Sequence, residues 1–120
     1  MDQNKQKITK IGGKEMKKVM LICNAGMSSS LMAKKASEYL ASNGYDIKVD
    51  STTSAEAEDI FNNSEYDMIL VSPQIRMLFN EYSKKAEEKG KEIAQVGFDA
   101  YSPTSMGISK MAKLITDKIG

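Results

Sequence analysis

Residues 19–31 of this 120-residue chain read VMLICNAGMSSSL, and they decide its architecture. The first four, Val19 to Ile22, form a continuous apolar run that is typical of a strand covered by helices on both faces. Cys23 then opens a loop of small residues, and Met32 begins an apolar stripe with helical spacing. The stretch therefore predicts a central parallel strand that leads through a short loop into a helix.

Three further strand-like runs alternate with helical segments along the chain. Met68 to Val71 is a second continuous apolar run, which we also place at the centre of the sheet. Ile47 to Asp50 alternates apolar and charged residues, and Ile93 to Val96 includes one polar residue, as is typical of edge strands. The βαβαβαβα pattern predicts one three-layer, doubly wound α/β domain over residues 17–120. Its four parallel strands should have the order 2-1-3-4, a topology of the flavodoxin and phosphotyrosine-phosphatase type.

Apolar spacing and residues that commonly begin or end helices indicate four helices. The first helix presents one apolar face made of four residues, Met32, Ala36, Tyr39 and Leu40. Thr53 to Glu56 has the sequence of a capping box, which predicts the start of a short second helix. Ser72 as N-cap and Pro73 at the first helical position predict a third helix that ends at Gly90. The spacing of apolar residues over 108–119 predicts a fourth.

Charge is concentrated at the start of the chain. The first 18 residues contain six lysines and two acidic residues, a net charge of +4, and the remaining 102 residues carry −3. The polar composition of this start predicts a disordered or weakly ordered extension over residues 1–16. The net charge of the whole chain, +1, gives no indication of nucleic-acid binding, and no apolar run is long enough to cross a membrane. We therefore expect a cytoplasmic protein.

The absence of histidine excludes several kinds of chemistry. The chain cannot hold a Cys-His or Ser-His-Asp nucleophile, a histidine zinc site or a phosphohistidine. Its one cysteine, Cys23, excludes both an internal disulfide and a C-x-x-C redox pair. These exclusions leave Cys23 as a candidate nucleophile.

Cys23 lies where an open parallel sheet binds its ligands, outside the carboxyl end of a strand at the point where the strand order reverses. The unpaired main-chain N–H groups and the positive dipole end of the following helix favour an anion there. The same field favours a thiolate, so we expect Cys23 to ionise at lower pH than a free cysteine and to act as a nucleophile. The candidate phosphate-binding residues are those of the adjoining loop and first helical turn: Asn24, Ala25, Gly26, Met27, Ser28, Ser29, Ser30 and Leu31.

Two phosphate chemistries are compatible with a nucleophilic cysteine in such a loop. Cysteine phosphatases use the motif C-x5-R, but Ser29 occupies the arginine position and no Arg or Lys lies between Cys23 and Met32. Without that guanidinium, transfer to water loses a major source of transition-state stabilisation, which favours a phosphoryl carrier over a hydrolase. Asp99 could supply a phosphatase's general acid, so this alternative stays open.

Other side chains near this edge give weaker indications of a role in binding. Arg76 could contact phosphate or a partner, or could be solvated, and Lys34 and Lys35 are interpreted as a solvated face. A flavodoxin-like binding module would share the architecture, but the chain has no tryptophan and no GxGxxG motif.

Residues 16–31 resemble the opening of the lactose/cellobiose-type enzyme IIB of the bacterial sugar phosphotransferase system (PTS), and the resemblance runs to Gly120. Ser72 to Ile75, after the third strand, is similar to the family's Gly-Pro-Gln-Ile segment, with serine where the family often has glycine. Tyr101 to Gly107 follows the family's Tyr-Gly-containing segment more loosely.

The resemblance implies a function as well as a fold. By it, Cys23 accepts a phosphoryl group from a phosphohistidine on enzyme IIA and passes it to a sugar bound by the membrane component, enzyme IIC. The sugar would be cellobiose or a related β-glucoside-like disaccharide, and residues 24–31 would hold the phosphoryl group. The resemblance implies no metal and no organic cofactor, and it implies peripheral association with the membrane through enzyme IIC. We expect the protein to be a monomer.

Overall fold

The computed structural model describes residues 16–24 and 29–120. The predicted extension over residues 1–16 therefore lies outside the described residues except for Met16. Four strands are described: β1 (Lys17–Cys23), β2 (Ile47–Thr53), β3 (Met68–Val71) and β4 (Glu92–Gln95). The α-helices are α1 (Ser29–Ser42), α2 (Ala57–Phe61), α3 (Phe79–Lys89) and α4 (Ser105–Ile119). Short 3₁₀ helices span Ser54–Glu56, Pro73–Leu78 and Phe98–Ala100.

The described strands form one parallel sheet in the order β2-β1-β3-β4, which confirms the predicted order 2-1-3-4. The apolar strands β1 and β3 lie side by side in the centre, with Ile22 paired to Val71. The register of β1 with β2 continues to Cys23, which is paired with Thr53. The carboxyl ends of the two central strands therefore meet at one edge of the sheet. From this edge the chain continues from β1 towards β2 on one side and from β3 towards β4 on the other.

Alternate residues of the central strands pack into two separate clusters, because successive side chains of a strand point to opposite faces. One cluster joins Val19, Leu21 and Leu70 to α1 and α4. The other joins Met20 and Ile22 to α2 and α3. The predicted three-layer arrangement is confirmed, because helices pack against both faces of the sheet.

The starts of the second and third helices differ from the prediction. Thr53 is the last residue of β2 and its side chain makes no capping hydrogen bond, so the expected capping box is wrong. After Ser72 the chain first makes a 3₁₀ segment, in which Ile75 (φ −120°, ψ 29°) leaves helical geometry and buries its side chain. Ser72 makes no capping bond either. Burial against the sheet thus outweighs the local preference for an immediate α-helix.

The buried face of α1 is also shifted by one position from the prediction. Met32, Ala36 and Leu40 are buried as expected, but Tyr39 is 39% exposed and Ala33 takes its place in the core. A small residue lets the helix approach the sheet closely, while the large phenol ring stays at the rim.

Candidate functional site

Cys23 is the last residue of β1, on the face of the sheet that packs against α1 and α4. Its sulfur lies 2.8 Å from the hydroxyl of Ser29, the first residue of α1. The sulfur is therefore at the amino end of a 14-residue helix whose first turn contains no acidic residue. The partial positive charge of that helix end favours an anion at this position.

The polar atoms described around the sulfur are all oxygen atoms. Besides Ser29 Oγ, the thiol is within hydrogen-bond distance of the carbonyl oxygens of Asn24 (3.3 Å) and Thr52 (3.5 Å). Carbonyl oxygens can only accept, so this arrangement suits a protonated sulfur. The sequence analysis expected main-chain N–H groups here, and those of residues 25–28 lie outside the described residues.

Cys23 is also more deeply buried than a residue at a strand end would indicate, with 1% of its surface exposed. A phosphoryl donor cannot reach the sulfur in this arrangement, so any covalent chemistry requires the atoms that cover it to move aside. This burial was not anticipated from the sequence, where the loop position indicated an accessible side chain.

The residues of the predicted phosphate loop that are described divide into two sets. Ser29 is buried and contacts the sulfur, whereas Asn24, Ser30 and Leu31 are exposed. Ala25, Gly26, Met27 and Ser28 lie outside the described residues. Ser29 occupies the position at which a cysteine phosphatase carries arginine, so a neutral hydroxyl takes the place of a cation beside the sulfur.

The charged side chains considered as alternative site residues are exposed, and none of them is among the hydrogen-bond partners described for the sulfur. Asp99 is exposed and pairs with Lys110 at 3.3 Å, and exposed pairs of this kind contribute little to stability. Arg76 is exposed and donates to the carbonyl of Pro73 at 3.1 Å. Lys34 and Lys35 are exposed on α1, which agrees with the solvated face expected of them.

Sequence reasoning did not identify Gln95 as part of this edge. Its side-chain amide donates to the carbonyl oxygens of Val71 (2.9 Å), Ser72 (3.2 Å) and Val96 (3.0 Å). These bonds hold the carboxyl ends of β3 and β4 together. The only sequence signal was one polar residue in an otherwise apolar strand, which was interpreted as an edge-strand feature.

Tyr101 lies between β4 and α4, in the segment that matches the family pattern only loosely. Its phenol oxygen is buried, and burial raises the pKa of Tyr101 to about 12, with the nearby Cys23 adding to the rise. A raised pKa favours the neutral phenol in the folded protein. The resulting contribution to stability is present below pH 10 and is lost as the pH rises towards 12.

The described residues offer no obvious metal site and no membrane span. They contain no group of three or more Cys, Asp or Glu side chains arranged to hold a metal ion. Within the same part of the chain, no helix has the length and apolar character needed to cross a bilayer.

Curated relatives share most of the length of this chain. An oligo-β-mannoside-specific EIIB component of the PTS from Bacillus subtilis is 30% identical over 86 residues, which are 72% of this chain and 82% of the relative. A galactose-specific and a cellobiose-specific EIIB component, both from Lactococcus lactis, are each 29% identical over 102 residues, 82% of this chain and 90% of the relative.

Solved structures of similar proteins have the same fold. The lactose-specific IIB domain from Streptococcus pneumoniae superposes with a TM-score of 0.71 at 22% identity, covering 86% of this chain and 97% of that domain. The cellobiose-specific IIB component from Borrelia burgdorferi gives 0.65 at 21% identity, covering 88% and 93%. Residues 18–116 match the family model described as "PTS system, Lactose/Cellobiose specific IIB subunit". The chain belongs to that family, the lactose/cellobiose-type IIB components that take part in sugar phosphotransfer.

Proposed function

We propose that this protein carries a phosphoryl group on the sulfur of Cys23, between a phosphohistidine on enzyme IIA and a sugar bound by membrane enzyme IIC. The observation that carries the proposal is the position of this sulfur, at the carboxyl end of a central strand and 2.8 Å from the first residue of α1. Family membership indicates sugar phosphotransfer. The chain has no histidine to carry the phosphoryl group, and we assign this role to its cysteine, Cys23.

The two transfers are balanced substitutions at phosphorus. In the first, the S–P bond forms while the N–P bond of the donor breaks; the imidazole nitrogen keeps the bonding electron pair and takes up the proton that the thiol loses. In the second, a sugar oxygen attacks phosphorus and the S–P bond breaks; the thiolate is regenerated, and the proton of the sugar hydroxyl passes to solvent. Such transfers depend mainly on positioning and on stabilisation of charge on the phosphoryl oxygens.

The proposed phosphate-binding residues remain those of the loop, Asn24 to Leu31. Their main-chain N–H groups and the hydroxyls of Ser28, Ser29 and Ser30 would surround the phosphoryl oxygens, as helix amino ends commonly bind phosphate. No guanidinium adjoins Cys23 among the described residues, and Ser29 fills the position where a phosphatase has one. This favours a phosphocysteine that reacts slowly with water and waits for its acceptor.

Docking of the partners is supported by exposed apolar side chains near the same edge. Leu31, Met77, Phe98 and Met106 are 44%, 73%, 65% and 67% exposed, and each follows the carboxyl end of a strand or begins the helix beyond it. We assign this apolar rim to contact with enzyme IIA, because a donor must cover the edge where Cys23 lies. We expect docking of enzyme IIA at this rim to uncover the buried sulfur of Cys23 as well.

The sugar is proposed from the resemblance alone. Relatives of similar identity are named for oligo-β-mannoside, galactose and cellobiose, so identity does not separate these sugars. We propose a cellobiose or β-glucoside-like disaccharide, recognised by enzyme IIC. The protein would then work as a cytoplasmic monomer that meets the membrane through this partner.

The proposal is tested by loading and discharging the purified protein. Incubation with a phosphorylated enzyme IIA of the cellobiose type should add one phosphoryl group, observed as a single mass increase of the intact protein. Adding membranes that contain enzyme IIC together with cellobiose should remove that group and produce sugar phosphate, whereas membranes alone should not. A protein that takes up no phosphoryl group, or that loses it to water as fast without sugar as with it, would contradict the carrier function.

A further inference from the structure

Two buried hydroxyl groups on the face of the sheet that carries Cys23 have no hydrogen-bond partner among the described residues. They are Ser72 Oγ and Tyr101 Oη. Ser72 is fully buried, and Tyr101 packs against the cluster that contains Leu21 and Leu70. Buried hydroxyls are normally paired, so each unpaired one calls for an explanation.

Ser72 directly follows β3 and lies beside Cys23, the last residue of the neighbouring strand β1. Ile22 is paired with Val71, and the Ser72 amide donates to the Ile22 carbonyl at 3.0 Å, which places Ser72 alongside Cys23. Ser72 has extended backbone angles, so the alternation of β3 continues through it. Its side chain is thus on the same face as Leu70, and Cys23 is on the same face as Leu21.

Tyr101 approaches the same sulfur from the segment between β4 and α4. Its ring packs against the cluster of Leu21 and Leu70, which lies on the same face of the sheet as Cys23, and its buried phenol oxygen has no hydrogen-bond partner among the described residues. In agreement with this placement, Cys23 contributes to the raised pKa of Tyr101. A thiol sulfur is only a weak acceptor, and here it lies within hydrogen-bond distance of Ser29 Oγ and of the Asn24 and Thr52 carbonyl oxygens. Tyr101 Oη is therefore a donor that lies near the sulfur without being used.

The segment that carries Tyr101 is held firmly in place. Gly107, in the first turn of α4, lies so close to the Ser102 carbonyl that a Cβ atom at this position would be 2.6 Å from the oxygen. Thr104 caps the same helix by accepting a hydrogen bond from the Gly107 amide at 3.1 Å. Ala100, on the other side of Tyr101, is buried. The residues before and after Tyr101 are thus held in place, as the role of a positioning residue requires.

We propose that Tyr101 is a positioning residue for sulfur chemistry at Cys23, with its phenol donating a hydrogen bond to the sulfur once the thiol proton has left. Ser72 Oγ is a second donor of the same kind. An anionic sulfur accepts hydrogen bonds much more strongly than a thiol sulfur, so loss of the thiol proton favours both bonds. Tyr101 keeps its proton throughout, so the balance of the two phosphoryl transfers is unchanged. The inference rests on the proposed function only for the step it assists, since a hydrogen bond from Tyr101 to a sulfur anion needs no partner protein.

The first test follows Cys23 alone. The rate of alkylation by iodoacetamide is measured against pH in the wild type, Tyr101→Phe and the control Tyr82→Phe; Cys23 is the only cysteine, so the signal has one source. Tyr82 is a buried tyrosine in the cluster on the opposite face of the sheet. Tyr101→Phe should move the midpoint of the profile about one pH unit upward, because the anion loses a donor, and Tyr82→Phe should leave it in place.

The second test follows Tyr101. Ultraviolet titration of the phenols, with the Tyr101→Phe spectrum subtracted, should show Tyr101 ionising near its pKa of about 12 in the wild type. In Cys23→Ser the pKa of Tyr101 should fall, because the neighbouring charge is gone, while burial keeps it above its ordinary value of 10. A phenol with a merely structural role would leave the alkylation profile of Cys23 unchanged when it is replaced.

Loading with a phosphoryl group separates this inference from the carrier proposal. If the wild type is loaded, Tyr101→Phe should be loaded about tenfold more slowly below the midpoint of its profile, in proportion to the lost thiolate. Ser72→Ala should shift the alkylation midpoint in the same direction by a smaller amount. Coincident alkylation profiles for wild type and Tyr101→Phe would overturn the inference even if loading succeeds. A shifted profile in a protein that cannot be loaded would uphold the coupling and contradict the carrier function instead.

Discussion

Replacing Cys23 with serine should abolish phosphorylation of the sugar in a reconstituted system of enzyme IIA, this protein, membranes with enzyme IIC and cellobiose. We expect the rate to fall by ~10³-fold or more, as is found when a covalent nucleophile is removed. A serine hydroxyl stays protonated near neutral pH, so no anion is available to attack phosphorus. The rate of sugar phosphate formation measures the effect.

The matched control for this loss is Met111→Leu. Met111 is a fully buried sulfur-containing residue of α4, and leucine has nearly the same volume, so this variant should phosphorylate sugar as fast as the wild type. Both variants should unfold in the same range of urea concentration as the wild type. Sugar phosphorylation by Cys23→Ser at more than about a tenth of the wild-type rate would mean that another residue carries the phosphoryl group.

Replacing Leu70 with alanine should remove a large part of the folding free energy. Leu70 is fully buried in the middle of the central strand β3, and it packs in the cluster shared with α1 and α4. Deleting a leucine side chain from such a position costs about 3 to 4 kcal/mol, from lost burial and from the cavity left behind. Urea unfolding followed by circular dichroism gives the change in the free energy of unfolding.

Met77→Ala is the control for this prediction. It also replaces a large apolar residue with alanine, but Met77 is 73% exposed, so the free energy of unfolding should change by no more than about 0.5 kcal/mol. A loss below about 1 kcal/mol for Leu70→Ala would contradict the close packing described for the central strands.

The sheet could be predicted from the sequence because its signals are local and strong. Two continuous apolar runs, Val19–Ile22 and Met68–Val71, could only be covered on both faces, so they had to be the central strands. The weaker runs then had to lie at the edges, which gave the observed order. The pattern of apolar and polar residues in each strand-like run is thus sufficient to predict the strand order.

Where helices begin proved harder to predict, since a starting point depends on contacts with the sheet. Ser72 and Pro73 have the composition of a helix start, yet Ile75 leaves helical geometry to bury its side chain. The capping-box sequence after Thr53 failed for a related reason, because pairing with Cys23 extends β2 through Thr53. In both cases tertiary contacts outweigh the local signal.

The candidate site was only partly predictable. The position of Cys23 followed from the end of one apolar run and the loop after it. Ser72, Gln95 and Tyr101 reach this edge from three other segments, and their convergence depends on the register of β1, β3 and β4 and on the path before α4. The burial of the sulfur depends on the same long-range packing.

Fragmentation mass spectrometry of the phosphoryl-loaded protein tests the central claim most directly, since it locates the added group within the sequence. Digestion under conditions that preserve the S–P bond should yield one modified peptide, with the added mass on Cys23. The neighbouring hydroxyls of Ser28, Ser29 and Ser30 should be unmodified. A phosphoryl group found on one of these serines, or on any residue other than Cys23, would contradict the account.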